Sequence, residues 1–152
     1  MEESHVDAAP LVWLASTDTY YPSDIARHLL HVQPKVDFKP VTGAPNPLSL
    51  DNLNQLNNLG GTNVFLTSND DVTTNPAWLK GVKPDASGKT AGANTAAVVV
   101  NTHADGVVDA FYFYFYSYNL GNKVFGQNLG NHVGDWYVRN TAIYCGLASN
   151  PW

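Results

Sequence analysis

The sequence predicts a mainly β fold, an incomplete antiparallel β-sandwich with one or two short helices in its N-terminal half, and three observations carry that prediction. The stretch Phe111–Tyr118 reads FYFYFYSY, an alternation that only a period-two strand sorts onto two faces. Just before it, Ala96–Ala104 and Val107–Tyr118 flank Asp105-Gly106, a strong two-residue hairpin signal. Charged residues make up only 14% of the chain, well below the usual quarter, and Asn, Thr, Ser and Gly carry the polarity, which suits extracellular or luminal β proteins. At 152 residues a single domain is the natural unit.

In chain order, Pro10–Leu14, PLVWL, reads as a short first strand closed by Ser16-Thr17-Asp18. A helix over Ile25–His31 follows: Ser23 suits the N-cap, Asp24 suits the positive end of the helix dipole, and Pro34 lies beyond its end. His28 and His31 stand three apart, a spacing that metal sites use; in a last helical turn they also serve the C-terminal carbonyls, which is the simpler reading. Prolines 34, 40, 45 and 47 with Gly43 make residues 33–47 an extended surface connection. A second short helix is predicted after it, capped by Ser49, striped by Leu50, Leu53 and Leu56, and stopped by Gly60-Gly61. Asn63–Ser68 reads as a strand closed by Asn69-Asp70-Asp71, and these acids lack the spaced ligands of a calcium loop. Residues 75–92 form a long polar loop anchored by Trp78 and Leu79.

A two-residue loop at Asp105-Gly106 sets Ala104 against Val107, Val100 against Phe111 and Val98 against Phe113. Val98 and Val100 then share a face with Phe111, Phe113 and Phe115, and His103 and Val99 share the other with Tyr112 and Tyr114. A Phe/Val face belongs against a second sheet, while tyrosine hydroxyls need partners, so coverage on both sides is expected. Tyr112, Tyr114, Tyr116 and His103 are the candidate ligand-binding residues. A tyrosine row either stacks on a ligand or is buried under loops; without interleaved basic residues, a sugar suits it better than a base.

Charge and cysteine usage narrow the classes further. The net charge is −5 with no run of Lys or Arg, which sets nucleic acid aside and leaves no basic run for an anionic membrane. Cys145 is the single cysteine, so no intrachain disulfide and no cysteine-based zinc site is available, and no neighbour activates its thiol. The N-terminal MEESHVDAAP is acidic where a signal peptide is basic, no apolar run is long enough for a transmembrane segment, and no N-glycosylation sequon occurs.

The blocks PLVWLASTDTYYPSDIARHL, PLSLDNLNQLN, NVFLTSNDDV and DGVVDAFYFYFYSYNLGNKVFGQNLGNHVGDW resemble the fungal vacuolar protein sorting-associated protein 62 family. The resemblance implies a mostly β domain and a vacuolar or secretory route, and it brings no catalytic mechanism. In that family GNHVGDW is continued by Glu and His, where this chain has Tyr137 and Val138. A fainter likeness to necrosis-inducing, metal-dependent cytolysins aligns His132 and Asp135 with a His and an Asp of their motif, with Gly134 in place of a second His. The likeness implies His132 and Asp135 as metal residues, for Ca²⁺ or Mg²⁺, with the carboxylate after the Trp missing.

The resemblance also implies that residues 1–136 are the N-terminal part of one sandwich domain and that 137–152 are a divergent tail. Trp136-Tyr137-Val138 requires GTACGT or GTATGT in the coding strand, a sequence like a fungal intron donor, so the tail is expected to be intron-encoded. Three functions remain open. The first is a non-enzymatic protein binding a glycan, a lipid head group or a divalent metal. The second is a hydrolase, for which Asp105, Asp109, His103, His132 and Asp135 supply acids and bases but no Gly-x-Ser-x-Gly or His-Glu-x-x-His motif is present. The third is a truncated product with an aromatic strand short of partners and prone to aggregate.

Overall fold

The computed structural model describes residues 11–90, 92–104 and 106–144, with side chains through 138. Pro10, Asp105, Cys145 and residues 146–152 lie outside the described residues, and the readings placed on them stop there. The fold is mainly β and every strand pair is antiparallel. The sheet at its centre has the order β4-β5-β8, formed by β4 (Ala96–Thr102), β5 (Val107–Asn119) and β8 (His132–Tyr144). A second sheet, β2-β1-β3, joins β1 (Val32–Val36), β2 (Lys39–Pro40) and β3 (Phe65–Ser68). A small hairpin of β6 (Asn122–Val124) and β7 (Gln127–Leu129) interrupts the connection from β5 to β8. The α-helix α1 spans Ile25–Leu29.

The β4–β5 hairpin forms, one residue out of the expected register. Val99 stands opposite Phe111, and Val98 opposite Tyr112. The cause is a three-residue loop: His103 N–H donates to the Val107 carbonyl (2.8 Å), Gly106 N–H donates to the His103 carbonyl (3.1 Å), and Gly106 takes φ +83°. Glycine supplies the left-handed residue that such a loop requires. A one-residue shift exchanges the faces. Val98 and Val100 therefore join the tyrosine face, while Val99 and His103 join the phenylalanine face.

Other expectations change for local reasons. Asp24, not Ser23, caps α1 by accepting from Arg27 N–H (2.8 Å), and its second carboxylate oxygen accepts from Asn94 N–H (3.1 Å). Residues 33–47 are not one extended connection, because β1 and β2 lie within them as a tight hairpin. Pro34 sits inside β1 and explains why β2 is short: its carbonyl accepts from Val41 N–H (3.0 Å), but proline has no N–H to return, and the ladder stops. The second helix is a 3₁₀ turn over Leu53–Asn58, in which three residues per turn align Leu53, Leu56 and Leu59 toward the core of Leu29, Val32 and Leu48. Leu50 is left exposed. Leu11–Leu14 forms no strand, and Trp13 is 89% exposed. Residues Tyr137–Tyr144, at the start of the expected tail, are the second half of β8 and pair with β5 as far as Val107.

Residues 20–24 lace the two halves together. Ser23 N–H donates to the Phe115 carbonyl (2.7 Å), Ser117 N–H donates to Ser23 Oγ (2.9 Å), and Tyr21 N–H and the Pro22 carbonyl bond to Lys80 and Val82 (2.9 Å each). His28 follows one turn later, its Nδ1 3.0 Å from Ser117 Oγ and its ring edge-on to Phe115 and Trp78. Burial first, and His31 second, push the His28 imidazole down to about 4.

Two outcomes are expected from this lacing. Gly81 has φ +71°, and a Cβ there would collide with the Tyr21 carbonyl and lie 2.8 Å from Ser23 Oγ. Gly81→Ala therefore destabilises by about 2 kcal/mol or more, read as a lowered midpoint in urea. His28 carries a folded pKa below its ordinary 6.5, so its contribution is complete above that value and is lost as pH falls toward about 4. Stability drops by about 3 kcal/mol at most across that window. His28→Gln removes this part of the slope; an unchanged pH profile would show that His28 is not its source.

Candidate aromatic cleft

A cleft of about 530 Å³ opens where the end of β5 meets β8 and the N-terminal segment. Its floor is Tyr116, Tyr118, Asn119 and Leu120, its far wall Asp135 and Tyr137, and its near wall residues 11–14 and 17–20. A tight turn places both limbs of the near wall: Asp18 N–H donates to the Ala15 carbonyl (3.0 Å), and Ala15 N–H donates to the Asp18 carboxylate (2.8 Å). Tyr20 is set against Tyr118, with ring centroids 5.0 Å apart, and its hydroxyl donates to the Asn75 side-chain oxygen (3.3 Å). Pro22 bridges to Tyr116 one step further along the lacing.

Two of the cleft phenols, Tyr116 and Tyr20, are held protonated by their surroundings. Burial first, then Asp18, Tyr137, Asp135 and Tyr114, hold the Tyr116 hydroxyl above the usual phenol range. Burial and Tyr118 do the same to Tyr20. The cleft thus combines aromatic faces, phenolic donors and two carboxylate acceptors, which is the chemistry that takes a polyhydroxylated ligand with apolar C–H faces.

The sequence-predicted residues divide among several places. Tyr116 lies in the cleft; Tyr112 is buried within the sheet, and Tyr114 is half-buried beside Tyr116 without lining it. His103 is at the far end of β5 on the other face, where its Nε2 is 2.7 Å from Asp109. Asp135 lines the cleft and His132 does not, although Gly134, with φ +77°, distorts β8 so that His132 Nε2 comes within 3.4 Å of Asp135 Oδ1. His132 Nδ1 bonds to the Gly130 carbonyl (3.0 Å), and this bond first, with Asp135 after it, raises the imidazole pKa. Calcium needs six to eight oxygen ligands and magnesium near-ideal octahedral coordination. Among the described residues no group of three or more His, Cys, Asp or Glu gathers that could hold a metal ion.

His28 and His31 each engage other partners. His28 is buried on Ser117, while His31 stacks on Trp78 at 4.8 Å with Asp70 3.4 Å away. Sequence reasoning missed Trp13, Asp18, Tyr20 and Tyr137. Tyr118, on the same face as Tyr116, was the available signal for the floor; nothing local marks the near wall.

Fold and cleft together define a mainly β protein with an aromatic, carboxylate-bearing cleft, in which no helix of the described residues is long and apolar enough to cross a membrane. By sequence the chain belongs to the family of vacuolar protein sorting-associated protein 62. It is 32% identical over 159 positions to the vacuolar protein sorting-associated protein TDA6 of Saccharomyces cerevisiae, a match covering 97% of this chain. It is 29% identical over 158 positions to vacuolar protein sorting-associated protein 62 of the same yeast, again over 97% of this chain. A 97% match leaves about five of the 152 residues outside, so the similarity runs past Trp136. The chain spans about a third of the length of these curated relatives, 34% in each case. No family model and no solved structure matches it.

Proposed function

We propose that this chain is a non-enzymatic protein that binds a glycan in the cleft between residues 11–20, the end of β5 and β8. The convergence of Tyr20, Tyr116, Tyr118 and Tyr137 with Asp18 and Asp135 carries this reading. Ring faces take the C–H side of a pyranose, and the carboxylates and the Asn119 amide take its hydroxyls. Both carboxylates already accept backbone N–H groups, Asp18 from Ala15 and Asp135 from Trp136 (2.9 Å), which positions them as acceptors. The relatives are named for vacuolar protein sorting, and a sugar-reading cleft suits a vacuolar or secretory route in which cargo carries glycans.

A glycan array with the full chain, followed by calorimetry on the strongest sugar, tests the reading. Tyr116→Ala and Asp135→Asn each weaken binding about tenfold or more, because a ring face or a charged acceptor is removed. His103→Ala, at the far end of β5, leaves affinity unchanged. Absence of binding to every sugar, or equal affinity in wild type and both cleft variants, refutes the proposal.

A further inference from the structure

Two hairpins end in a phenylalanine held where the backbone does not favour one. Between β1 and β2 the turn residues Asp37 and Phe38 have φ +48° and +62°, and between β6 and β7 Phe125 and Gly126 have +49° and +81°. These are the positive-φ pairs of type I′ turns, which take Asn and Gly. A bulky side chain there is strained. Burial does not offset the strain, since Phe38 is 92% exposed and Phe125 fully so.

The β1–β2 tip carries more than its turn. Lys35 lies between Pro40 and Phe65 in the sheet, Phe65 is itself largely exposed, and Lys39 follows Phe38 directly. Lys35 and Phe65 share one face, Lys39 stands on the other, and Phe38 occupies the turn beyond them, so two exposed rings and two ammonium groups gather about one tip in a chain of net charge −5. The hairpin assembles at one end of the sheet a cationic, apolar point that no run of basic residues announces.

We propose that this hairpin docks the protein onto an anionic phospholipid bilayer, independently of the cleft. Phe38 and Phe65 enter the boundary between head groups and acyl chains, and Lys35 and Lys39 reach the lipid phosphates. Phe38 at the turn, beyond Lys35 and Lys39 on the strands, matches the layering of acyl chains beneath phosphates. A protein partner matches less well, because a stable contact needs roughly 800 Å² per side and a two-residue turn offers a narrow projection.

Flotation of the full chain with vesicles of phosphatidylcholine mixed with phosphatidylserine, and of phosphatidylcholine alone, tests this. Wild type floats with the mixed vesicles. Phe38→Gly and Phe38→Asn, both suited to positive φ, float at least roughly tenfold less. Their Tm is equal to wild type or higher, since turn strain is relieved, which separates lost docking from lost folding. Lys35→Ser with Lys39→Ser reduces flotation with the mixed vesicles to the level seen with phosphatidylcholine alone. Wild type that stays with neither vesicle, floats equally with both, or floats no better than either Phe38 variant overturns the proposal.

Discussion

The buried contact of Ser23, His28 and Ser117 is the constraint from which the rest of the structure follows. Along β5 the buried residues are first Val108, Ala110 and Tyr112, on one face, and then Phe115 and Ser117, on the other, with Tyr118 buried beside them. Past Tyr114 the strand is therefore covered on both faces. A strand enclosed in this way needs a partner for each polar group within it. Ser117, 1% exposed, receives Ser23 Oγ on its N–H and His28 on its hydroxyl, and Ser23 N–H in turn satisfies the Phe115 carbonyl. Without this exchange the segment that carries α1 has no polar reason to lie on β5. Leu29 and the core it joins would lose their attachment to the central sheet.

Much of the secondary structure is legible because it is local. FYFYFYSY is a strand by its alternation, and the run from Ala96 with the glycine at 106 is a hairpin by composition. The register is not legible from the same residues: a loop of two and a loop of three both fit the signal, and the hydrogen bond from His103 to Val107 selects three. That single residue carries Val98 and Val100 to the tyrosine side and His103 away from it. Pro34 misleads in the opposite way. It reads as a breaker, yet a proline whose carbonyl still accepts can sit in a strand and end only the ladder on the side where its N–H is missing.

The candidate site is legible in half. Tyr116 and Asp135 belong to motifs that sequence alone singles out, and the cleft contains both. Its other wall, Asp18 and Tyr20, lies about a hundred residues earlier in the chain and faces them only because residues 20–24 are laced to β5. Neither periodicity nor spacing encodes a contact of that range. His132 shows the reverse case: the distortion at Gly134 brings it close to Asp135, but residues three apart on β8 stand on opposite faces, so Asp135 lines the cleft and His132 does not.

Stability and site are therefore held by the same few bonds. Tyr20, a wall of the cleft, is three residues from Ser23 and is braced by Tyr118 and Asn75. Any change that loosens Ser23 from Ser117 frees Tyr20 and displaces the turn at Asp18, although neither residue has been altered. Loss of ligand after such a change reports disorder in the wall, whereas loss after a change at Asp135 reports chemistry. The two are distinguished by their companions: the first lowers the midpoint of unfolding together with affinity, and the second lowers affinity alone, because Asp135 is half-exposed and its carboxylate bridges no two elements of the core.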